Sequence, residues 1–275
     1  MIVDAHCHVW PDHIAPKVLS GRPADLDPVH DGTIGGLRRT MDAAGVDHAM
    51  CLGVANVART VERTNEFIGS LERSRFTPFG TVHPDLPVEA NLKSLRDNGI
   101  RGVKLHPMFQ DLSFADPRVI ELLRALAGEG ITVIAHVGEA GPEAGDRAAS
   151  RHVRAALDQI PDLRLITCHF GGYHRLDEAE EFLVGSRAIL ETSWPPRLSD
   201  LDAGRLRRII DRHGADRVVF GSDWPMADPA AEIAAVRSLG LDAAAEQAIL
   251  GGNLARLLGL DRHEPVKSGV SPDDR

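Results

Sequence analysis

Eight short apolar runs punctuate the chain: Ile2 to His8, Ala49 to Val54, Thr77 to His83, Gly102 to His106, Thr132 to His136, Leu165 to His169, Ala188 to Ser193 and Val218 to Asp223. Each is rich in Val, Ile, Leu and Ala and is bounded by polar, Gly or Pro residues, the pattern of strands buried on both faces. Segments with helical spacing lie between them. Arg59 to Glu72 sets Val61, Phe67 and Leu71 among charges, and Pro117 to Ala127 opens on proline, which suits a first helical turn. Glu178 to Leu183, Leu201 to Arg212 and Ala230 to Leu239 have the same character. Strand plus helix recurs every ~25 to 35 residues, the length of one βα unit. Alternation of this kind predicts a parallel sheet with covered faces. Eight units without a compositional break predict a single-domain α/β fold, a closed (β/α)8 barrel over residues 1–260. A doubly wound dinucleotide fold would place a glycine-rich turn after the first strand, where this chain has HCHVWPDH. Two stretches leave the repeat. Pro11 to Ile34 is a long Pro/Asp/Gly-rich connection that reads as a lid, and Asp261 to Arg275 reads as a polar, flexible tail.

Composition narrows the function. Lys and Arg number 31 against 40 Asp and Glu, a formal charge of −9, and no basic block stands out, which argues against nucleic acid as a partner. No apolar run approaches the ~20 residues that span a bilayer, and Asp4 and His6 interrupt any signal-peptide core. Three cysteines, Cys7, Cys51 and Cys168, form no Cys-x-x-Cys pair, so the expectation is free thiols in a reducing cytoplasm. All three are expected as apolar fillers between barrel and helices, with Cys168 directed away from the pocket.

The chemistry gathers at strand ends. His8, His83, His106, His136, His169 and Asp223 close six of the eight predicted strands, and barrel enzymes carry their functional groups on that rim. His6 and His8 are two apart on a strand and so face one side, offering two imidazoles to a divalent metal while Cys7 faces the other. His136 in VIAHVG and His169 in ITCHFGG are each followed by a glycine that lets the chain turn. Asp223 ends an almost wholly apolar strand, where a carboxylate is costly unless paired or metal-bound. At the metal's edge it would take a proton from water acidified by the metal. Lys104 and His106 of GVKLHP share a face, and a lysine inside a strand would hold a substrate carboxylate, or be carboxylated to bridge two metals. Glu191 and Ser193 share an inward face of the seventh strand, within reach of a ligand or of groups behind it. Trp10, Trp194 and Trp224 follow these motifs closely and serve either as pocket walls or as core packing.

Together DAHCH, GVKLHP, AHVG, CHFGG, GSDWP and the closing GNLARLLGL resemble the amidohydrolase superfamily, in the branch containing aminocarboxymuconate-semialdehyde decarboxylase and many small TIM-barrel hydrolases. The resemblance spans roughly residues 1–260, with motifs in the family's order. It implies metal ligation by His6, His8, His136 and Asp223, and an acid/base role for His169, which in two-metal members is itself a ligand. It implies one divalent metal, zinc foremost or manganese, with a second if Lys104 is carboxylated. Lys104, His106, Trp194 and Trp224 are the expected substrate contacts. Asn253 and Arg256 to Gly259 match the family's closing helix. Three activities compete. The leading expectation is a hydrolase cleaving an amide, lactone or ester of a small molecule. The alternative is a non-oxidative decarboxylase of an aromatic or enol acid, needing a cationic clamp such as Lys104 or Arg22. A barrel that binds a partner without catalysis ranks last, because no ligand is lost. Homo-oligomers are common in that branch, and the expected partner is a small-molecule substrate, with no membrane.

Overall fold

The computed structural model describes residues 1–20, 27–139 and 145–260. Arg22 and the expected tail at 261–275 therefore lie outside the described residues. Eight parallel strands pair in sequence order: β1 (Val3–His8), β2 (His48–Leu52), β3 (Phe76–Thr81), β4 (Gly102–Leu105), β5 (Thr132–Ala135), β6 (Leu165–Thr167), β7 (Ile189–Glu191) and β8 (Val218–Val219). Backbone bonds from Ala5 N to Phe220 O (2.9 Å) and from His8 N to Trp224 O (2.7 Å) join the last strand to the first and close the barrel. Apart from β1, which ends with its run at His8, the strands stop one to four residues before the apolar runs do. The chemistry-bearing residues of β4, β5, β6 and β8 thus sit on the first residues of the loops.

Helices α1 (Ala15–Leu19), α2 (Ile34–Ala44), α3 (Val61–Gly69), α4 (Val88–Asp97), α5 (Pro117–Gly128), α6 (Ser150–Gln159), α7 (Leu176–Phe182), α8 (Ala203–His213) and α9 (Pro229–Ser238) surround the strands, and α10 (Ala243–Gln247) and α11 (Asn253–Leu258) follow. Their starts are written in the sequence. Thr33, Asp116, Asp202 and Asp228 each accept a first-turn N–H, and proline follows the two aspartates at 116 and 228.

Two apolar layers form. Alternate strand residues, among them Leu105, Val133, Leu165, Leu190 and Phe220, pack outward against the helices. The intervening ones, including Met50, Leu52, Phe79, Ile134, Ile166 and Val219, fill the barrel and meet Leu254 and Ala255 of α11 at its base. Asn253 fastens that helix, donating to Ala215 O and Val218 O at 2.7 Å each. Gly102 faces inward, where a Cβ would lie 2.3 Å from the Phe79 ring.

β1 carries a bulge. Asp4 pairs with Ala49 and Cys7 with Cys51, so Ala5 and His6 together oppose Met50. The extra residue switches the inward parity. Val3 and Ala5 fill the lower barrel, while His6 and His8 face the mouth and Cys7 packs outward.

Candidate metal centre and active site

At the mouth three donor atoms converge. His6 Nε2 lies 3.2 Å from His8 Nε2 and 3.2 Å from Asp223 Oδ1, and His8 Nε2 lies 3.7 Å from the same oxygen. A tetrahedral cation with ligands at ~2.0–2.1 Å holds its donors about 3.3 Å apart, so two imidazoles and a carboxylate at these spacings fit one. Burial pushes the pKa of His6 well below its ordinary value, with Lys104 and His169 adding to the effect. The ring is thereby kept in the neutral form that metals require. Asp223 reaches the cluster through a left-handed backbone (φ 62°), which aspartate tolerates better than most residues. The segment carrying it is tied to β1: Ser222 donates to Asp4 through its hydroxyl (2.6 Å) and its backbone N–H (3.0 Å), and His6 N also donates to Asp4 (2.9 Å). Burial pushes the Asp4 carboxyl up to about 6 despite these hydrogen bonds.

A second set of groups comes from β4 to β6. Lys104 is fully buried, with Nζ 3.1 Å from His6 Nε2 and 3.0 Å from Cys168 Sγ. Beyond β6 the chain takes two left-handed residues, His169 (φ 59°) and Phe170 (φ 52°), before Gly171 (φ 76°). That turn swings the His169 ring inward until its Nε2 lies 3.0 Å from His136 Nδ1. Burial depresses the pKa of both rings; His136 and Lys104 add to the effect at His169, and Lys104, His6 and His8 add to it at His136. His106 stacks on His136 (4.5 Å between ring centres) and on Phe109 (3.9 Å). Its buried Nδ1 has no hydrogen-bond partner among the described residues. The opposite side of His169 is aromatic as well. Tyr173 stands 4.9 Å from it and 5.1 Å from Trp194, and its hydroxyl donates to Pro195 O.

The expected site residues are thus distributed unevenly. His6, His8, Asp223, Lys104, His136, His169 and His106 meet in one mouth. Trp194 joins through Tyr173, and Trp10 stacks 6.0 Å from His8. Trp224 is fully buried on another side, stacked on His30 with Nε1 donating to Thr40 Oγ1 at 3.4 Å. His83 interacts with Asn91 and Asp85. The Pro11 to Ile34 connection contains α1, and its end returns to the loop after β8, where Val29 N and His30 N donate to Pro225 O.

One expectation is overturned. Cys168 is not packed between barrel and helices but lies inside the barrel against Lys104. Ile166 already faces inward on β6, so Cys168, two residues on, does too, and His169 enters only through the left-handed turn. His6, Cys168 and His169 form a further group whose donor atoms lie within 4.8 Å of one another. Burial pushes the Cys168 thiol up to about 12, with Lys104 pulling the other way. Asp4 and Tyr173 were not anticipated. Asp4 stands in DAHCH two residues before the metal pair, and that spacing was the available signal. Tyr173 lay beyond the strand and carried none.

Comparison with known proteins agrees with this fold. The amidohydrolase family model (Amidohydro_2) matches residues 3–260. No curated protein sequence matches the chain. Solved structures share the fold at low identity. An uncharacterised TIM-barrel protein from Bordetella bronchiseptica is 19% identical with a TM-score of 0.74, over 94% of this chain and 98% of that one. A dihydroxybenzoic acid decarboxylase from a Polaromonas species, with bound manganese and the inhibitor 2-nitroresorcinol, is 17% identical with a TM-score of 0.73, over 97% and 99%. A protein assigned as a 2-pyrone-4,6-dicarboxylic acid hydrolase from Pseudomonas putida is 20% identical with a TM-score of 0.67, over 95% and 98%. Among the described residues no helix is long and apolar enough to cross a membrane. With the family model matched along nearly its whole length, the chain belongs to the amidohydrolase family.

Proposed function

We propose that this protein is a metal-dependent hydrolase that cleaves an amide, lactone or ester of a small molecule. The observation that carries the proposal is the convergence of His6 Nε2, His8 Nε2 and Asp223 Oδ1 within 3.2–3.7 Å of one another. His6, His8 and Asp223 would hold the cation with His136, and zinc or manganese suits such a donor set. When bound, the cation polarises the substrate carbonyl and lowers the pKa of water at the site. Asp223 takes the proton of the attacking water. His169, neutral through burial, would accept that proton from Asp223 and hand it to the leaving group. His106, Phe109, Tyr173 and Trp194 enclose the substrate. Lys104 lies beneath the site beside His6, a position that suits carboxylation better than a clamp in the open mouth; were a second cation bound, His136 would pass to it together with His169 and carboxylated Lys104. The small-molecule substrate and a cytoplasmic location belong to the same reading.

Decarboxylation of an aromatic or enol acid is the second reading. The aromatic mouth favours it, since stacked His106 and Phe109 present a flat face to a ring. The manganese-bound decarboxylase of the same fold makes that chemistry a natural comparison.

Metal content comes first, by elemental analysis of protein purified without added metal, in wild type and in the His6→Ala/His8→Ala variant. About one zinc or manganese per chain, lost in the variant, supports a single site. Near two supports the carboxylated Lys104 bridge. No metal in the wild type, even after reconstitution, sinks the proposal. The loaded protein is then offered ester, lactone and amide panels beside carboxylated phenols. Hydrolytic product supports the first reading and CO2 release the second. In either case Asp223→Asn retains the fold and loses activity, and full activity in that variant removes Asp223 from the mechanism.

A further inference from the structure

β7 holds two residues whose role the metal reading leaves open. Glu191 is fully buried, and a Cβ at residue 221 would lie 2.1 Å from its Oε1, so the room it occupies exists because Gly221 has no side chain. Ser193 N (2.5 Å) donates to Oε1 of Glu191, and Ser193 Oγ (2.8 Å) donates to Oε2. His169 N approaches Oε2 at 3.4 Å and His6 Nδ1 at 3.1 Å. A carboxyl group receiving these bonds asks His6 to donate from Nδ1. A neutral imidazole with its proton on Nδ1 has its lone pair on Nε2, the atom that faces His8 and Asp223. The neighbouring serine does the same for the second ring. His169 Nδ1 lies 3.1 Å from Ser193 O and 3.0 Å from its Oγ. The carbonyl can only accept, so that ring also carries its proton on Nδ1 and turns the Nε2 lone pair toward His136.

We infer that Glu191 is a positioning residue that fixes the Nδ1–H tautomer and orientation of His6, and through His6 sets the affinity of the metal site. This rests on the proposed metal reading and adds to it a residue that touches neither metal nor substrate. The division of labour is specific. His6 depends on a side chain, which mutation can remove. His169 depends largely on a backbone carbonyl, which mutation leaves in place.

The test uses two readouts. On metal-free protein, two-bond ¹H–¹⁵N correlations report the tautomer of His6, assigned by its loss in His6→Asn. Wild type shows the Nδ1–H form. In Glu191→Gln the amide can donate as well as accept, so His6 passes to a mixed or Nε2–H form, and Glu191→Asp restores the Nδ1–H form in part. On the same proteins, calorimetric titration with Mn(II) gives a dissociation constant about 10- to 100-fold weaker in Glu191→Gln, the usual effect of removing a carboxylate behind a metal-bound histidine. Ser193→Ala removes an oxygen 3.2 Å from His6 Nδ1 but leaves the Glu191 carboxyl there and the residue-193 carbonyl at His169, so it changes the constant by less than about fivefold. An unchanged His6 tautomer in Glu191→Gln, together with Mn(II) affinity within twofold of wild type, overturns the inference. A wild type that binds no Mn(II) instead overturns the metal reading and the affinity claim with it. The tautomer spectra then still decide whether Glu191 orients His6.

Discussion

Glu232→Gln should make the protein progressively more stable than wild type as pH rises. Glu232 sits in the first turn of α9, is 1% exposed, and accepts the Leu198 N–H on both carboxyl oxygens at 3.1 and 3.2 Å. Burial pushes its pKa from the ordinary 4.5 to about 8, and the carboxyls of Glu191, Asp4 and Asp223 push the same way. The folded state therefore holds a proton that the unfolded chain gives up. The stability contributed by the neutral acid is fully present below about pH 4.5, declines through the interval and is gone above about pH 8. Each pH unit in that window costs about 1.4 kcal/mol, to a ceiling of about 5 kcal/mol. Gln keeps an acceptor for Leu198 and carries no charge to bury. The two proteins should differ by no more than about 1 kcal/mol at pH 4.5 and diverge steadily to pH 8. For a chain of this size the gap in Tm widens by roughly 2–3 °C per pH unit. Thermal melts of both proteins at half-unit intervals from pH 4.5 to 9 make the measurement. A difference in Tm that stays flat across the series would refute the claim that Glu232 is protonated in the fold at neutral pH.

Two further outcomes follow from packing. Gly102→Ala puts a methyl into the Phe79 ring, an overpacked core position costing about 1–3 kcal/mol. A urea midpoint equal to wild type would show that the ring simply steps aside. Phe109→Ala removes an exposed ring stacked on His106. It should raise KM about 3- to 10-fold, the loss of ~0.5–1.5 kcal/mol of ring stacking, with kcat and Tm nearly unchanged. Steady-state kinetics on a turned-over substrate read this out, and a fall in kcat alone would place the ring outside substrate binding.

Much of the site was legible because a parallel barrel turns a one-dimensional pattern into a place. Strands buried on both faces give apolar runs, and a polar residue at the end of such a run belongs to the rim. His106, His136 and Asp223 were found in this way, and His6 and His8 by their spacing. Their assembly in one mouth depends on strand order, which short connections settle. The rest turned on backbone detail that apolar periodicity does not carry. Cys168 takes the inward side that the pattern assigns to His169, and His169 still reaches the mouth because the strand ends before it and the chain turns left-handed, a conformation rare enough for histidine that pattern reading assumes against it. β8 has only two ladder residues, since Phe220 and Trp224 bond across to β1 instead. His83 ends a run as the others do, yet its neighbours are Asn91 and Asp85, and rim position alone did not distinguish it.

The bulge in β1 bears on how this enzyme can vary. In an unbroken strand every inward residue belongs to one alternating series, so an insertion or deletion anywhere exchanges filler for ligand along the whole strand. Here Ala5 and His6 share the turn of phase, and the lower barrel and the metal pair obey separate series. Deleting one residue at the bulge would restore a single series. Val3 and His8 would stay inward, and the strand would lose one of its two adjacent inward residues, the filler Ala5 or the ligand His6. Drift in the hydrophobic base of the strand is thus insulated from the ligands above it, whereas a change of length at this joint is not. For redesign, the base of β1 can be repacked freely, and its length should be left as it is.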